Sequence, residues 1–145
     1  MNRIKLVLGV LAAACLSAGV ASADTHTKAH AGAAVDHNLA AIATVCGCPF
    51  AIDVNWQGIT PDQTKRQVAN SIDAFVGAAQ AYCQRGADAK THFCTQYSSL
   101  AVVEDSNGEA LDLENTKVVF RHNKKAEIVQ TDVIAFFEKG EKTKS

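Results

Sequence analysis

Residues 48–63, CPFAIDVNWQGITPDQ, carry the reading on which the fold turns. From Cys48 to Trp56 the chain alternates: Phe50, Ile52, Val54 and Trp56 point one way, and Ala51, Asp53 and Asn55 the other. Period two with a polar second face means a strand with one side wet. Gln57-Gly58 breaks the pattern. Thr60-Pro61-Asp62-Gln63 then reads as a helix start, with Thr60 as cap, Pro61 at the first helical position and Gln63 completing a capping box. Val68, Ile72, Phe75, Val76, Ala79 and Cys83 follow at helical spacing, with Arg66, Asn70, Asp73, Gly77, Gln80 and Gln84 opposite. Gly86 is placed to end this helix, which at ~1.5 Å per residue spans ~36 Å, enough to cross a whole sheet.

Working outward, residues 24 to about 35 are rich in Ala, His and Thr, lack an apolar period and read as a flexible arm. A short helix follows, with Asp36 as cap, Leu39, Ile42 and Val45 on one face, and Gly47 at its end. On the other side, an antiparallel meander is expected. Its parts are a strand from Leu100 to Glu104, a turn at Asp105-Ser106-Asn107-Gly108, Leu111 and Leu113, then Lys117 to His122 with Val118 and Phe120 inward. A polar turn at Asn123-Lys124-Lys125 leads to Ile128 and Val129. Beyond that, Val133, Phe136 and Phe137 fit a helix, whereas Val129, Thr131, Val133, Ala135 and Phe137 fit a strand; the strand, to about Ala135, is preferred.

The expected class is therefore α+β, one long helix packed on a curled antiparallel sheet of four to five strands, stabilised by disulfides. The order of strand 48–56, helix 60–86 and later strands resembles the cystatin-like arrangement. The resemblance implies element order alone, since the inhibitory Gln-x-Val-x-Gly signature is absent.

The first 23 residues read as a secretory signal peptide. Arg3 and Lys5 precede an apolar run from Leu6 to about Val20, and Ala21-Ser22-Ala23 supplies small residues for cleavage. Cys15 would mark a lipoprotein, but Ala12-Ala13-Ala14 precedes it and Leu11 is one place too far upstream, so Cys15 leaves with the leader. Removing residues 1–23 leaves 12 Lys+Arg against 15 Asp+Glu, a net charge of −3. The remaining length suits one domain, from about residue 36 to 139, with a polar tail at 140–145, and buries roughly two-thirds of its unfolded surface. Mild acidity argues against nucleic acid, which asks for a basic stripe. The nearest approach, Lys117, Arg121, Lys124 and Lys125, reads as a solvated hairpin. No second apolar segment is long enough to span a bilayer. A periplasmic or secreted product is expected.

Four cysteines remain: Cys46, Cys48, Cys83 and Cys94. The strand runs away from Cys46 and Cys48, and the long helix returns, bringing Cys83 back, with Cys94 in the crossing that follows. All four can gather at one end of the domain. Of three pairings, Cys46–Cys48 is a strained small ring that ties no elements together. Cys46–Cys83 with Cys48–Cys94, and Cys46–Cys94 with Cys48–Cys83, are both open. A bridge from Cys46 to Cys83 is worth roughly 3–4 kcal/mol in the chain-entropy account. Structural disulfides are the main reading. Thiol–disulfide redox chemistry at Cys46-Gly47-Cys48 is an alternative, weakened because Pro49 and a strand follow where such chemistry uses a helix start. A zinc site would want reduced thiols and paired C-x₂-C spacing.

If cleavage follows Ala23, the chain begins Asp24-Thr25-His26. A free amine, two deprotonated amides and a third-position imidazole form a square-planar nitrogen set suited to Cu(II) or Ni(II). This is similar to the amino-terminal copper site of serum albumins over three residues; His30 and His37 could add ligands. No Gly-x-Ser-x-Gly, phosphate loop or His-Glu-x-x-His appears. His92 beside Cys94 and His122 at a strand end read as a capping and a core histidine. Asp53 and Asn55 read as a solvated face, and Trp56 and Tyr82 as possible pocket lining. The expectation is a small exported binding module, not an enzyme, whose sheet face or edge meets a protein partner in the envelope or outside the cell, such as an exported enzyme it inhibits. The alternative is copper or nickel handling by the N-terminal arm.

Overall fold

The computed structural model describes residues 35–105 and 107–142. Residues 35–46 form α1, followed by β1 (Ala51–Val54), α2 (Asp62–Cys83), α3 (Ala87–Gln96), β2 (Ser99–Val103), β3 (Leu111–Glu114), β4 (Lys117–Arg121) and α4 (Gln130–Lys142). Among the described residues the chain is α+β, with four helices and a four-stranded mixed sheet in the order β1-β2-β4-β3. The segments expected to be a signal peptide (1–23) and a flexible arm (24–35) lie, up to residue 34, outside the described residues.

Three elements are organised differently from the sequence expectation. The sheet is not an antiparallel meander. β1 pairs parallel with β2 (Ile52 opposite Leu100), β2 parallel with β4 (Leu100 opposite Val118), and only β3 and β4 are antiparallel (Leu113 opposite Val118). A parallel pair needs a long crossover, and α2 and α3 supply it between β1 and β2. The second difference is α3, which occupies the segment expected to be a plain crossing. With Ala89 and Phe93 its only buried residues, one turn apart, it carries a weak apolar period. The third is the chain end. Residues 130–142 form a helix rather than a continued strand, and Gly140, Glu141 and Lys142, read from composition as tail, belong to it. With these helices and parallel pairs, the fold is not one long helix on a cystatin-like sheet.

The apparent turn at Asp105–Gly108 joins no hairpin. The chain leaves β2, passes the end of β4 and enters β3 on the far edge, then returns through Asn115 (φ 60°) and Thr116 into β4. That two-residue turn is the real hairpin, and Asn tolerates its left-handed conformation.

Local signals elsewhere hold with small shifts. In β1 the even side, Phe50, Ile52, Val54 and Trp56, packs into the core, while Ala51, Asp53 and Asn55 are exposed. α2 starts one residue later than expected. Pro61, not Thr60, is the cap; its extended backbone lets its carbonyl accept from Thr64 and Lys65 N–H at 3.0 and 3.2 Å, and no side chain, Gln63 included, closes a capping box. At 22 residues, α2 is about 33 Å long. α1 is already helical at residue 35, so Asp36 lies within it rather than at its cap. It ends at Gly47 (φ 82°), whose N–H reaches the Ala43 carbonyl at 3.0 Å.

The core lies between the helices and one sheet face. Ile42 of α1, Val68, Ile72, Phe75 and Ala79 of α2, Phe93 of α3 and Val133 and Phe137 of α4 join Leu100, Val102, Val118 and Phe120 in one cluster. Aromatic rings bind its centre, with Phe50 5.7 Å from Phe75 and from Phe93, and Phe93 5.5 Å from Phe137. α4 is moored by two hydrogen bonds at its start. The buried Ser71 hydroxyl accepts from Ile128 N–H at 3.1 Å, and Asp132 accepts from Val129 N–H at 3.1 Å. Lys125 donates to the same carboxylate at 2.6 Å, and with Val129 holds Asp132 below its usual carboxylate range.

Candidate functional site

Three constellations of polar or reactive side chains stand out. The first is the cysteine clasp. Cys46 closes α1, Cys48 stands at the head of β1, Cys83 closes α2 and Cys94 lies in the last turn of α3. The bridges are Cys46–Cys83 (Cα–Cα 5.2 Å) and Cys48–Cys94 (5.9 Å), one of the two arrangements the sequence left open. Cys46 and Cys48 are thus tied to different helices, and Cys46-Gly47-Cys48 forms no dithiol ring of its own. With one bridge closed, the other shuts a ring of about 15 residues, made of 46–48 and 83–94, worth about 3 kcal/mol in the chain-entropy account. The ring is the same whichever bridge closes second, so chain entropy does not rank them. Disulfides of this kind fit an oxidising, extracytoplasmic compartment.

The second constellation lies beside the clasp, where α4 meets α2 and α3. Tyr82, one residue before Cys83, donates its hydroxyl to Glu141, and Arg85 pairs with Glu138 at 2.8 Å while lying 5.2 Å from the Tyr82 ring centre. The Tyr97 ring lies tilted against Phe137 with centres 4.9 Å apart, and the position a Cβ on Gly140 would take lies 2.7 Å from the Tyr97 hydroxyl. Only glycine lets α4 come this close. Burial, then the bond to Glu141, pushes the Tyr82 hydroxyl well above the ordinary phenol range; burial, then the Glu141 charge, pushes Tyr97 up to about 12. Both phenols are held neutral, which leaves the Tyr82 hydroxyl to fasten α4 as a donor and suits neither to nucleophilic work. His92 is wedged between the two tyrosine rings, 6.1 Å from each centre. Its Nε2 is buried without a hydrogen-bond partner among the described residues. Tyr82, expected at a pocket wall, is wholly buried; Trp56 is half-buried against the core.

The third constellation is on the other sheet face. The buried side chains of all four helices gather on the Leu100–Val118 side, so the opposite face carries none of them. That face carries Ala51 and Asp53 from β1, Ser99, Ala101 and Val103 from β2, Lys117, Val119 and Arg121 from β4, and Asp112 and Glu114 from β3, with Ala101, Val119 and Arg121 buried along its middle. Arg121, expected to be a solvated hairpin residue, is only 4 % exposed. Its Nη1 donates to the Glu109 carbonyl (3.1 Å) and to Asp112 (3.4 Å), its Nη2 to Glu114 (3.2 Å), and Nε lies 3.8 Å from Asp105. Gly108 (φ 89°) lies on the guanidinium, with its Cβ position 2.7 Å from Cζ. Arg121 therefore pins the segment that passes over the end of β4. Three half-exposed carboxylates around one guanidinium, with exposed Asp53 further along and Lys117 3.8 Å from Glu114, leave the face with more acids than bases.

Of the residues singled out from sequence, the four cysteines are brought together, and Asp53 and Asn55 lie on the wet side of β1. His122 is half-buried just past β4, and His37 is exposed on α1, apart from both. Asp24, Thr25, His26 and His30 lie outside the described residues, so no geometry bears on copper or nickel. Among the described residues no group of three or more His, Cys, Asp or Glu side chains is placed to hold a metal ion. No helix among them is long and apolar enough to cross a membrane. Arg121 and Glu141 were missed. Glu141 continues the i, i+4 run of Val133 and Phe137, and Arg121 alternates onto the face shared with Asp112 and Glu114; both signals were present. Compared with known proteins, the chain matches no family model, no curated protein and no solved structure, so its functional reading rests on its own residues.

Proposed function

We propose that this chain is an exported, non-enzymatic binding module whose helix-free sheet face receives a protein partner. One observation carries the reading: the buried side chains of all four described helices lie on one side of the sheet, leaving a helix-free face richer in acids than bases on a scaffold braced by two disulfides. Such a face offers shape through Ala51 and Val103 at its β1 side, and charge through Asp53 and Asp112, which steers and orients a basic partner surface. The Tyr82 hydroxyl, already committed to Glu141, supports binding over catalysis.

The test compares capture from envelope extract by the wild-type chain and by a variant carrying Ala51→Arg and Asp53→Lys. Both positions are exposed and both lie outside the Arg121 pin. A partner retained by the wild type and lost by the variant, with unchanged circular dichroism, is the expected result. Equal capture by both chains would sink the reading. Deleting residues 24–35 should leave capture intact and would remove any Cu(II) affinity carried by His26.

A further inference from the structure

The two bridges of the clasp stand in different surroundings. Cys46 and Cys83 are 3 % and 0 % exposed and belong to the core cluster, whereas Cys48 and Cys94 are only partly buried at its edge. Gly47, between Cys46 at the end of α1 and Cys48, is exposed, and no atom beyond its chain neighbours lies within 4 Å of its Cβ position, so the surface beside Cys48 is open. Because either bridge closes the same ring when the other is intact, access to sulfur decides which one an external thiolate meets first.

We propose that Cys48–Cys94 is an exchangeable bridge, opened and re-formed by dithiols, while Cys46–Cys83 stays closed. The co-reactant is a dithiol, of the kind exported disulfide oxidoreductases present. Its thiolate attacks one sulfur of the bridge, forming a mixed disulfide and releasing the other cysteine as a thiolate, which takes a proton. The second thiol of the reagent then resolves the mixed disulfide. Two electrons and two protons pass to Cys48 and Cys94, and the reagent leaves as its own disulfide. Cys94 Sγ lies 3.5 Å from the Cys46 carbonyl oxygen, so once reduced it has an acceptor waiting and is held as a thiol. Oxidation by a disulfide-bearing partner reverses each step.

The open form keeps its core. α3 remains held by Phe93, and by Tyr97 just past its end, against Phe137 and by its short link to α2, while the head of β1 loses its covalent tie to α3 and keeps the Phe50–Phe93 contact. The bridge thus sets how firmly β1, the strand carrying Asp53, is tethered to the helices. This inference concerns the sulfurs alone and stands whether or not the sheet face binds a partner.

The experiment treats the oxidised protein with limiting dithiothreitol under native conditions, quenches aliquots with iodoacetamide and maps the labelled cysteines by peptide mass spectrometry. Cys48 and Cys94 should be labelled together at least tenfold faster than Cys46 and Cys83, with the far-ultraviolet circular dichroism unchanged at the plateau. Equal rates for both pairs, faster labelling of Cys46 and Cys83, or no labelling short of unfolding would each overturn the proposal. A Cys48→Ala/Cys94→Ala variant should lack the fast phase; if it does not fold, labelling of the wild-type chain still decides.

Discussion

Replacing Ser71 by alanine tests whether α4 is moored by a single buried hydroxyl. Ser71 is fully buried on α2; its hydroxyl donates to the Gln67 carbonyl at 2.8 Å and accepts from Ile128 N–H at 3.1 Å. In Ser71→Ala the Gln67 carbonyl keeps its place on the helix ladder, but Ile128 N–H has no replacement partner where water does not reach. An unpartnered buried amide costs about 1–3 kcal/mol. Alanine returns about 0.5 kcal/mol as the better helix former, and the lost oxygen leaves a void smaller than a methyl group. The net loss is about 1–2 kcal/mol, a fall in Tm of about 4–8 °C for a domain of this size. Urea unfolding with both bridges intact measures it, and the m-value should not change, because the surface exposed on unfolding is the same. A loss below about 0.5 kcal/mol at constant m would refute the mooring, since that is the range of a surface substitution.

Gly108→Ala should cost about 2 kcal/mol or more in the same assay, because its left-handed backbone and the guanidinium 2.7 Å from the new Cβ both resist it. Gly47→Ala, also left-handed but with open space around it, should cost only about 1 kcal/mol, and equal losses would count against the Arg121 pin. Tyr97 is pushed up to about 12, so the stability it lends is whole below pH 10.0 and drains away as pH rises towards 12. Tyr97→Phe should therefore flatten the alkaline decline in Tm, and a superimposable pH profile would contradict the assignment. Asp132 is shifted the other way, so its contribution is present above its ordinary value of 3.8 and is lost as pH falls below it. Asp132→Asn should lower Tm at pH 7 and converge with wild type in acid, and a constant gap would argue against the Lys125 and Val129 contacts.

Local structure was far more legible than sheet order. The alternation of 50–56 and the 3.6-residue period from Val68 to Cys83 reflect a single wet face in each element, which sequence displays directly. Placing those elements end to end also brought the four cysteines together. The pairing of β2 with β4 depended on which strand is buried on both sides. Val118, Val119 and Phe120 are all buried, the mark of a central strand, whereas Leu111-Asp112-Leu113-Glu114 alternates as an edge strand does. Chain order pointed to neighbours, and Asn107-Gly108 reinforced it, but burial of the apolar run prevailed. At the chain end, periods of two and 3.6 fit equally well until Ser71 and Asp132 supplied partners for the two amides ahead of α4. Those partners sit 57 and 3 residues away in sequence, and only the nearer could be read from it.

The clasp and the sheet also belong to different stretches of the chain. All four cysteines precede Ser99, whereas the strand that fills the middle of the sheet begins only at Lys117. A chain emerging from its N-terminus can thus link α1, β1, α2 and α3 covalently before anything exists to hold β3. Assembly then ends with the insertion of β4 between two strands, followed by α4 as a cover. A chain cut between residues 104 and 116, past Cys94 and β2 but ahead of β4, should yield a protein with both disulfides formed and no completed sheet.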